Sequence, residues 1–127
     1  MSEKKPHILV IEDDPDMVEA IKIRFEANNF DVSVALDGIE GLSKARTKNP
    51  DLIILDIMLP KLDGFKLCRM LKYDEKYKSI PIIMLTAKIQ KSDVSRGKEV
   101  GADAYITKPF KSEELIEKVK EFLAKPA

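Results

Sequence analysis

The sequence predicts an α/β fold, a (βα)5 pattern in which the five strands of a doubly wound parallel sheet alternate with five helices. Two observations support this prediction. Five short runs are continuously apolar, as strands are when helices cover both faces of a parallel sheet. The segments between and after these runs carry apolar residues at helical spacing, and most have capping residues at an end. Because crossovers are right-handed and connections are short, the expected strand order is 2-1-3-4-5.

The five strand-forming runs are spread along the whole chain and are rich in isoleucine, leucine and valine. Four of them lead directly into a charged or hydroxyl side chain, and only the second does not. The runs are residues 8–11, 32–35, 52–55, 82–85 and 104–107.

The helices are predicted from their end signals and apolar stripes. Asp14 is an acidic N-cap for the first helix, and Pro15 suits its first turn. Residues 28–29 (Asn-Asn) end this helix, and residues 49–50 (Asn-Pro) end the second. The fifth helix starts at Ser112 and has acidic residues in its first turn. The predicted stripes are Val18, Ile21 and Phe25 in the first helix; Ile39, Leu42 and Ala45 in the second; Phe65, Leu67, Cys68 and Leu71 in the third; and Leu115, Ile116, Val119 and Phe122 in the fifth.

The fourth helix, from about Ser92 to Val100, is the weakest of the five predictions. It contains Gly97, and Val94 and Val100 are its only large apolar residues. Two explanations fit this pattern: a poor surface helix, and a moving element that has low local stability.

The composition indicates one globular domain spanning residues 1–127, with its core at about 7–123. Of the 127 residues, 44% are hydrophobic and 35% are charged. Lys plus Arg equals Asp plus Glu at 22 each, so we expect no direct contact with nucleic acid or with a membrane. No apolar stretch approaches the roughly 20 residues of a membrane span, and no signal peptide is evident, so a cytoplasmic protein is expected. The single cysteine excludes an internal disulfide.

Charged and hydroxyl side chains follow the predicted strands. Glu12 and Asp13 follow the first strand, Asp56 the third, Thr86 ends the fourth, and Lys108 follows the fifth. The sheet changes winding direction between the first and third strands, where such folds bind ligands at the carboxyl ends of the strands. Converging carboxylates repel one another unless a cation lies between them. Oxygen ligands with open positions favour Mg²⁺, with Mn²⁺ as a substitute.

Several of these residues also have a simpler explanation. Asp13 and Asp14 precede a helix, where capping alone accounts for one of them. Thr86 is equally a β-branched residue at a strand end, and Lys108 by itself would be a solvated surface charge. Asp56 has no evident capping or turn role. It therefore favours a functional cluster over a set of unrelated structural residues.

Together these residues resemble the receiver domains of two-component response regulators, over residues 7 to about 123. Each motif is weak alone, but all of them in this order make a specific match. The motifs are residues 11–14 (Ile-Glu-Asp-Asp), 56–60 (Asp-Ile-Met-Leu-Pro) with 63–64 (Asp-Gly), 85–87 (Leu-Thr-Ala), 101–105 (Gly-Ala-Asp-Ala-Tyr) and 107–110 (Thr-Lys-Pro-Phe).

The resemblance implies a phosphorylation-activated signalling switch rather than an enzyme acting on other molecules. Asp56 would be the phosphoacceptor, receiving a phosphoryl group from a histidine kinase or a phosphotransfer protein. Glu12, Asp13, Asp56 and the backbone carbonyl of Met58 would bind Mg²⁺. The family often has aspartate at the position of Glu12, so we expect this glutamate to reach the metal through a water molecule.

The resemblance also assigns the residues that respond to phosphorylation. Lys108 matches the family's phosphate-contacting lysine, and its bond to Pro109 is predicted to be cis. Thr86 and Tyr105 match the switch hydroxyl and the switch aromatic, although without the resemblance Tyr105 would be a strand-filling residue. The output surface would be the face of the fourth helix, fifth strand and fifth helix, where a downstream effector protein or domain binds.

Three other functions fit the sequence less well. A flavodoxin-type FMN carrier shares the flavodoxin-like fold but needs a phosphate-binding loop where this chain has Glu12 and Asp13. A hydrolase of the haloacid dehalogenase type has a second aspartate two residues after its nucleophile, where this chain has Met58. A receiver-like docking module that is never phosphorylated would not need the complete acid, hydroxyl and lysine set. The chain is expected to be either a stand-alone receiver or one part of a larger regulator.

Overall fold

The computed structural model describes residues 5–86 and 101–124. Within these ranges five parallel strands form one sheet of order β2-β1-β3-β4-β5. The strands are β1 (His7–Ile11), β2 (Asp31–Ala35), β3 (Leu52–Asp56), β4 (Ile82–Thr86) and β5 (Ala104–Thr107). The helices are α1 (Pro15–Ala27), α2 (Gly38–Thr47), α3 (Gly64–Lys72) and the C-terminal helix (Ser112–Ala124). The predicted fold class and strand order are confirmed.

The predicted fourth helix, from about Ser92 to Val100, lies outside the described residues. Of the predicted output face, β5 and the C-terminal helix are therefore the parts that can be described. Within the described ranges, none of the helices combines the length and the apolar character that a membrane span requires.

Alternate residues of each central strand pack into two cores on opposite faces of the sheet. Leu9 and Ile11 of β1 pack on the face that α2 and α3 cover, whereas Ile8 and Val10 pack beneath α1 and the C-terminal helix. All four side chains are completely buried. Burial on both faces explains why the strand runs are continuously apolar. Cys68 lies in the core covered by α2 and α3, where burial raises the pKa of its thiol to about 12. Such a thiol stays protonated and unreactive at neutral pH.

The predicted helix ends are confirmed in α1 and α2. Asp14, Asp37 and Asp63 cap the first three helices, each accepting a backbone hydrogen bond from two or three residues ahead, at 2.8 to 3.0 Å. Asn29 and Asn49 follow α1 and α2 with φ angles of 68° and 48°. Asparagine tolerates this left-handed conformation better than most residues, so it stops both helices.

In the second helix Ala45 is buried and Leu42 packs against the core, as predicted, but Ile39 does not belong to the buried face. Ile39 is 55% exposed, so the prediction that it belongs to the buried stripe is wrong. The buried residues are Gly38, Gly41 and Ala45. A Cβ atom on Gly41 would lie 2.8 Å from Cδ1 of Ile11, so the helix approaches β1 more closely than a larger side chain allows. Small residues, which apolar spacing does not reveal, determine this contact.

Candidate functional site

Three carboxylates meet where β1 and β3 end. Glu12 follows β1 and is completely buried, Asp56 ends β3 and is 4% exposed, and Asp13 is exposed. Each offers one carboxylate oxygen, and these oxygens lie within 4.8 Å of one another. The pairing of Ile11 with Leu55 brings the acids together, because Glu12 and Asp56 follow directly after this aligned pair.

Lys108 reaches the acids from the end of β5. Its Nζ donates hydrogen bonds to Oε1 of Glu12 at 2.6 Å and to Oδ2 of Asp56 at 3.1 Å. Its backbone N–H donates to the carbonyl of Thr86 at 2.6 Å, which ties the loop after β5 to the end of β4. The peptide bond between Lys108 and Pro109 is cis, as predicted.

The electrostatics of the cluster follow from these contacts. Burial lowers the pKa of Lys108, but its hydrogen bonds to Glu12 and Asp56 and their charges outweigh that effect, so its pKa lies above the ordinary value. The pKa of Asp13 is raised by its hydrogen bond with Glu12, by partial desolvation and by the Glu12 charge. When all three acids are ionised, one ammonium faces three carboxylates. The cluster then has an excess negative charge that a cation can balance.

The two carboxylate oxygens of Asp56 have different neighbours. Oδ1 accepts a hydrogen bond from the N–H of Met58 at 3.1 Å, while Oδ2 accepts from Lys108. The following loop folds back so that the N–H of Gly64 donates to the carbonyl of Ile57 at 3.0 Å. A Cβ atom on Gly64 would lie 2.3 Å from the carbonyl oxygen of Asp56. Only glycine allows this close approach, which places the start of α3 against the acid.

Thr86 and Tyr105 lie one strand apart on the same face of the sheet. Thr86 is the last residue of β4 and is 6% exposed. Tyr105 pairs with Met84, and side chains alternate along a strand, so Tyr105 and Thr86 point to the same side. The Tyr105 ring packs, partly buried, against the core covered by α2 and α3. The structure thus places the predicted switch hydroxyl and aromatic near each other, on strands beyond β3.

Sequence reasoning missed two features of this site. The first is the ion pair between Lys108 and Glu12, residues 96 positions apart. The strand ends place both residues at one edge of the sheet, but no sequence signal pairs them. The second is the contact of Gly64 with the Asp56 backbone. The Asp-Gly pair at 63–64 was a signal for it, because a glycine at the start of a helix suggests a close approach.

Known proteins similar to this chain belong to one family. The family model for the response regulator receiver domain matches residues 8–120. The chain is 47% identical over 93% of its length to the DNA-binding dual master transcriptional regulator RpaA of Synechocystis sp., and covers 49% of that protein. It is 42% identical over 94% of its length to the DNA-binding response regulator MtrA of Mycolicibacterium smegmatis, and covers 51% of it.

A solved structure gives the same result for the fold. The receiver domain of the sensor histidine kinase PA1611 from Pseudomonas aeruginosa PAO1 superposes with a TM-score of 0.88 at 30% identity, covering 96% of this chain and 100% of that one. That structure has a magnesium ion coordinated in its active-site cleft.

The relatives correct one prediction from the sequence. The expectation of no direct contact with nucleic acid is contradicted, because RpaA and MtrA are DNA-binding regulators. The chain spans about half the length of these curated relatives, so a charge balance counted over its 127 residues could not exclude DNA binding by such a regulator. The fold, the cluster of acids facing a lysine and the match over residues 8–120 lead to one conclusion: this chain belongs to the receiver domain family of two-component response regulators.

Proposed function

We propose that Asp56 accepts a phosphoryl group from a phosphohistidine on a histidine kinase or phosphotransfer protein. The bond between phosphorus and the histidine nitrogen breaks as a bond from phosphorus to an Asp56 carboxylate oxygen forms. One observation carries this proposal: the Asp56 carboxylate is held at the end of β3 between the Met58 N–H and the Lys108 ammonium. A nucleotide site is not required, because the donor already carries the phosphoryl group.

The acids fit a hard divalent cation. Glu12, Asp13 and Asp56 present only oxygen atoms, and they are close enough to share one ion. We assign these three residues and the backbone carbonyl of Met58 as ligands, with Glu12 acting through water. Mg²⁺, or Mn²⁺ in its place, would supply charge neutralisation for the transferring phosphoryl oxygens. The magnesium ion in the related Pseudomonas aeruginosa receiver supports this assignment.

The proposed role of Lys108 is to bind a phosphoryl oxygen. Its ammonium already lies 3.1 Å from Oδ2 of Asp56, so a phosphoryl group on that carboxylate would be within its reach. The raised pKa keeps the ammonium charged at neutral pH. In this proposal Lys108 and the metal-binding acids hold the donor and Asp56 in position and neutralise charge on the transferring phosphoryl group. The domain would therefore catalyse its own phosphorylation and dephosphorylation and no other reaction.

Thr86 and Tyr105 are proposed to pass the signal to the surface. Phosphorylation enlarges the Asp56 side chain and adds acceptor oxygens. The pairing of Asp56 with Leu85 puts Thr86 one residue beyond, so its hydroxyl could donate to a phosphoryl oxygen. Movement of Thr86 would open space into which the Tyr105 ring turns. The face formed by the predicted fourth helix, β5 and the C-terminal helix would then change its shape.

Incubation with a small acyl phosphate donor and Mg²⁺, followed by intact mass measurement, tests the proposal. The protein should gain one phosphoryl group, whereas Asp56→Asn should keep the fold and gain none. The matched control is Asp14→Asn, because asparagine retains the N-cap and this exposed acid lies outside the proposed metal ligands. Phosphorylation of Asp56→Asn at an equal rate would contradict the assignment. A protein that never gains mass would be a docking module instead.

The curated relatives suggest the output of the switch. We propose that residues 1–127 form a single receiver domain and that it acts in the cytoplasm as part of a regulator whose DNA binding depends on phosphorylation. The basis is the similarity to RpaA and MtrA, both named as DNA-binding proteins. Footprinting with the complete regulator, phosphorylated and unphosphorylated, should show different occupancy of its DNA site.

A further inference from the structure

We propose that the exposed face of α3 is a docking groove for an acidic, amphipathic helical segment of a partner protein. The groove is lined by Leu62, Lys66, Arg69, Met70 and Tyr73. None of these lining residues is a proposed metal ligand, and none belongs to β5 or to the C-terminal helix. The proposed occupant would therefore contact residues that the proposed phosphorylation mechanism does not use.

The floor of the groove is apolar and faces solvent. Met70 is 44% exposed and Tyr73 is 68% exposed, and their spacing of three residues places them on one side of the helix. Leu62, from the preceding loop, extends this apolar strip. The opposite side of α3, with Phe65 and Leu71, is already buried in the core, so the exposed side chains of Met70 and Tyr73 are not part of the core packing. Adjacent large apolar side chains left in water are typical of interaction surfaces.

The charges of the groove are all positive. Lys66 and Arg69 line it, and among the described residues no acidic side chain does. The α3 sequence contains three basic residues and no acidic one, although the formal net charge of the chain is zero. Lys72 is engaged by Asp103 at 2.7 Å, and the preceding acid, Asp63, caps the helix. Lys66 and Arg69 thus give the groove a local positive field that fits an acidic partner.

Arg69 is held in a position suited to binding carboxylates. Its guanidinium carbon lies 5.5 Å from the centre of the Tyr73 ring, one helical turn further along. Stacking limits the conformations of the arginine and leaves the edge of the guanidinium able to bind a carboxylate through two hydrogen bonds. Arginine, tyrosine and methionine in one patch are also the residues enriched where binding energy concentrates.

Two other occupants fit the groove less well. In a symmetric contact with a second copy, Lys66 and Arg69 would face their own equivalents, and like charges across an interface oppose association. Nucleic acid would satisfy the two cations, but its phosphate backbone offers no apolar surface to cover Met70 and Tyr73. An amphipathic helix with acidic flanks satisfies both parts of the groove.

Nuclear magnetic resonance titration of the ¹⁵N-labelled chain tests this proposal. The probe is a helical peptide with leucines at positions i, i+4 and i+7 between flanking glutamates. A matched peptide carries lysine at every glutamate position. The acidic peptide should shift the amide signals of residues 62–73 saturably. The lysine peptide should bind at least about tenfold more weakly, because it places like charge against Lys66 and Arg69.

Variants of the chain distinguish specific docking from nonspecific binding. Arg69→Glu should weaken binding of the acidic peptide about tenfold and strengthen binding of the lysine peptide. A misfolded variant would not show this reversal of charge preference. Met70→Ser should weaken binding as well. Ile23→Ser, at a 59% exposed site on α1, should leave it unchanged. The proposal is overturned if the acidic peptide shifts other regions or nothing. Shifts of the same amides on concentrating the protein alone, or with duplex DNA but not with the peptide, would also overturn it.

Discussion

The ammonium of Lys108 lies closer to Glu12 than to Asp56, at 2.6 Å against 3.1 Å. Glu12 is completely buried, and its second carboxylate oxygen accepts a hydrogen bond from the N–H of Asp14 at 3.2 Å. One glutamate therefore connects the loop after β5 to the residue that caps α1. In the proposed phosphotransfer, Lys108 would already be held beside Asp56, so the site would need little rearrangement to receive a phosphoryl group.

Removal of this lysine should reveal the repulsion between the acids. We predict that Lys108→Ala lowers the free energy of unfolding by about 1–3 kcal/mol without metal, because Glu12 and Asp56 stay buried with no cation beside them. Urea unfolding measures the change, and added Mg²⁺ should recover part of the loss. Lys111→Ala, at an exposed position, serves as the control. Equal stability of the two variants would show that the ion pairs contribute nothing.

The raised pKa of Asp13 predicts a pH-dependent gain in stability when this residue is removed. An acid whose pKa is higher in the folded protein than in the unfolded chain destabilises the fold once it is ionised. Asp13→Ala should therefore raise the melting temperature of the metal-free protein at neutral pH. The gain should disappear as the pH falls below the ordinary aspartate pKa, where both states are protonated. The same variant should bind Mg²⁺ more weakly. A melting temperature that falls at neutral pH would argue against repulsion within the cluster.

The close approach of Gly64 predicts that a single methyl group would disturb the site. In Gly64→Ala the new Cβ atom would overlap the carbonyl oxygen of Asp56, so the loop or the strand end must move. We expect a loss of about 1–3 kcal/mol in stability, typical of overpacking, together with slower phosphorylation. Chemical denaturation and the phosphodonor assay measure the two effects. Ser43→Ala, exposed on α2, is the control and should change neither. Normal values for both in Gly64→Ala would contradict the expected clash.

The lifetime of the phosphorylated state should depend on Met58. Hydrolysis needs a water molecule in line with the phosphorus, opposite the Asp56 oxygen. The Met58 side chain is 78% exposed two residues after Asp56 and cannot orient water through a strong hydrogen bond. We predict slow autodephosphorylation that becomes several-fold faster in Met58→Asn. Decay of the phosphoprotein is followed at one Mg²⁺ concentration, with Met70→Asn as a control of similar chemistry. An unchanged or slower rate in Met58→Asn would mean that water access here does not limit hydrolysis.

The order of the elements and the ends of most helices could be predicted from short stretches of the sequence. Continuous apolar runs identify strands buried on both faces. Asp14 starts a helix and Asn29 ends it, each through local backbone conformation and contacts with its immediate neighbours. The strand ends carrying Asp56 and Lys108 then fall at the same edge of the sheet, because parallel strands share one carboxyl edge. These signals depend on short stretches of chain, so they are visible before folding.

The contacts made at that edge and the exposure of Ile39 could not be predicted, because both depend on how distant segments pack together. The contact of Lys108 with Glu12 joins residues 96 positions apart, and no local pattern states which of several acids a lysine will reach. The exposure of Ile39 followed from the close approach of Gly41 to β1, since the shape of a packed interface depends on both surfaces at once. Local patterns determine the periodicity of burial along a helix or strand. Contacts between distant segments determine which element it packs against and how closely the two approach.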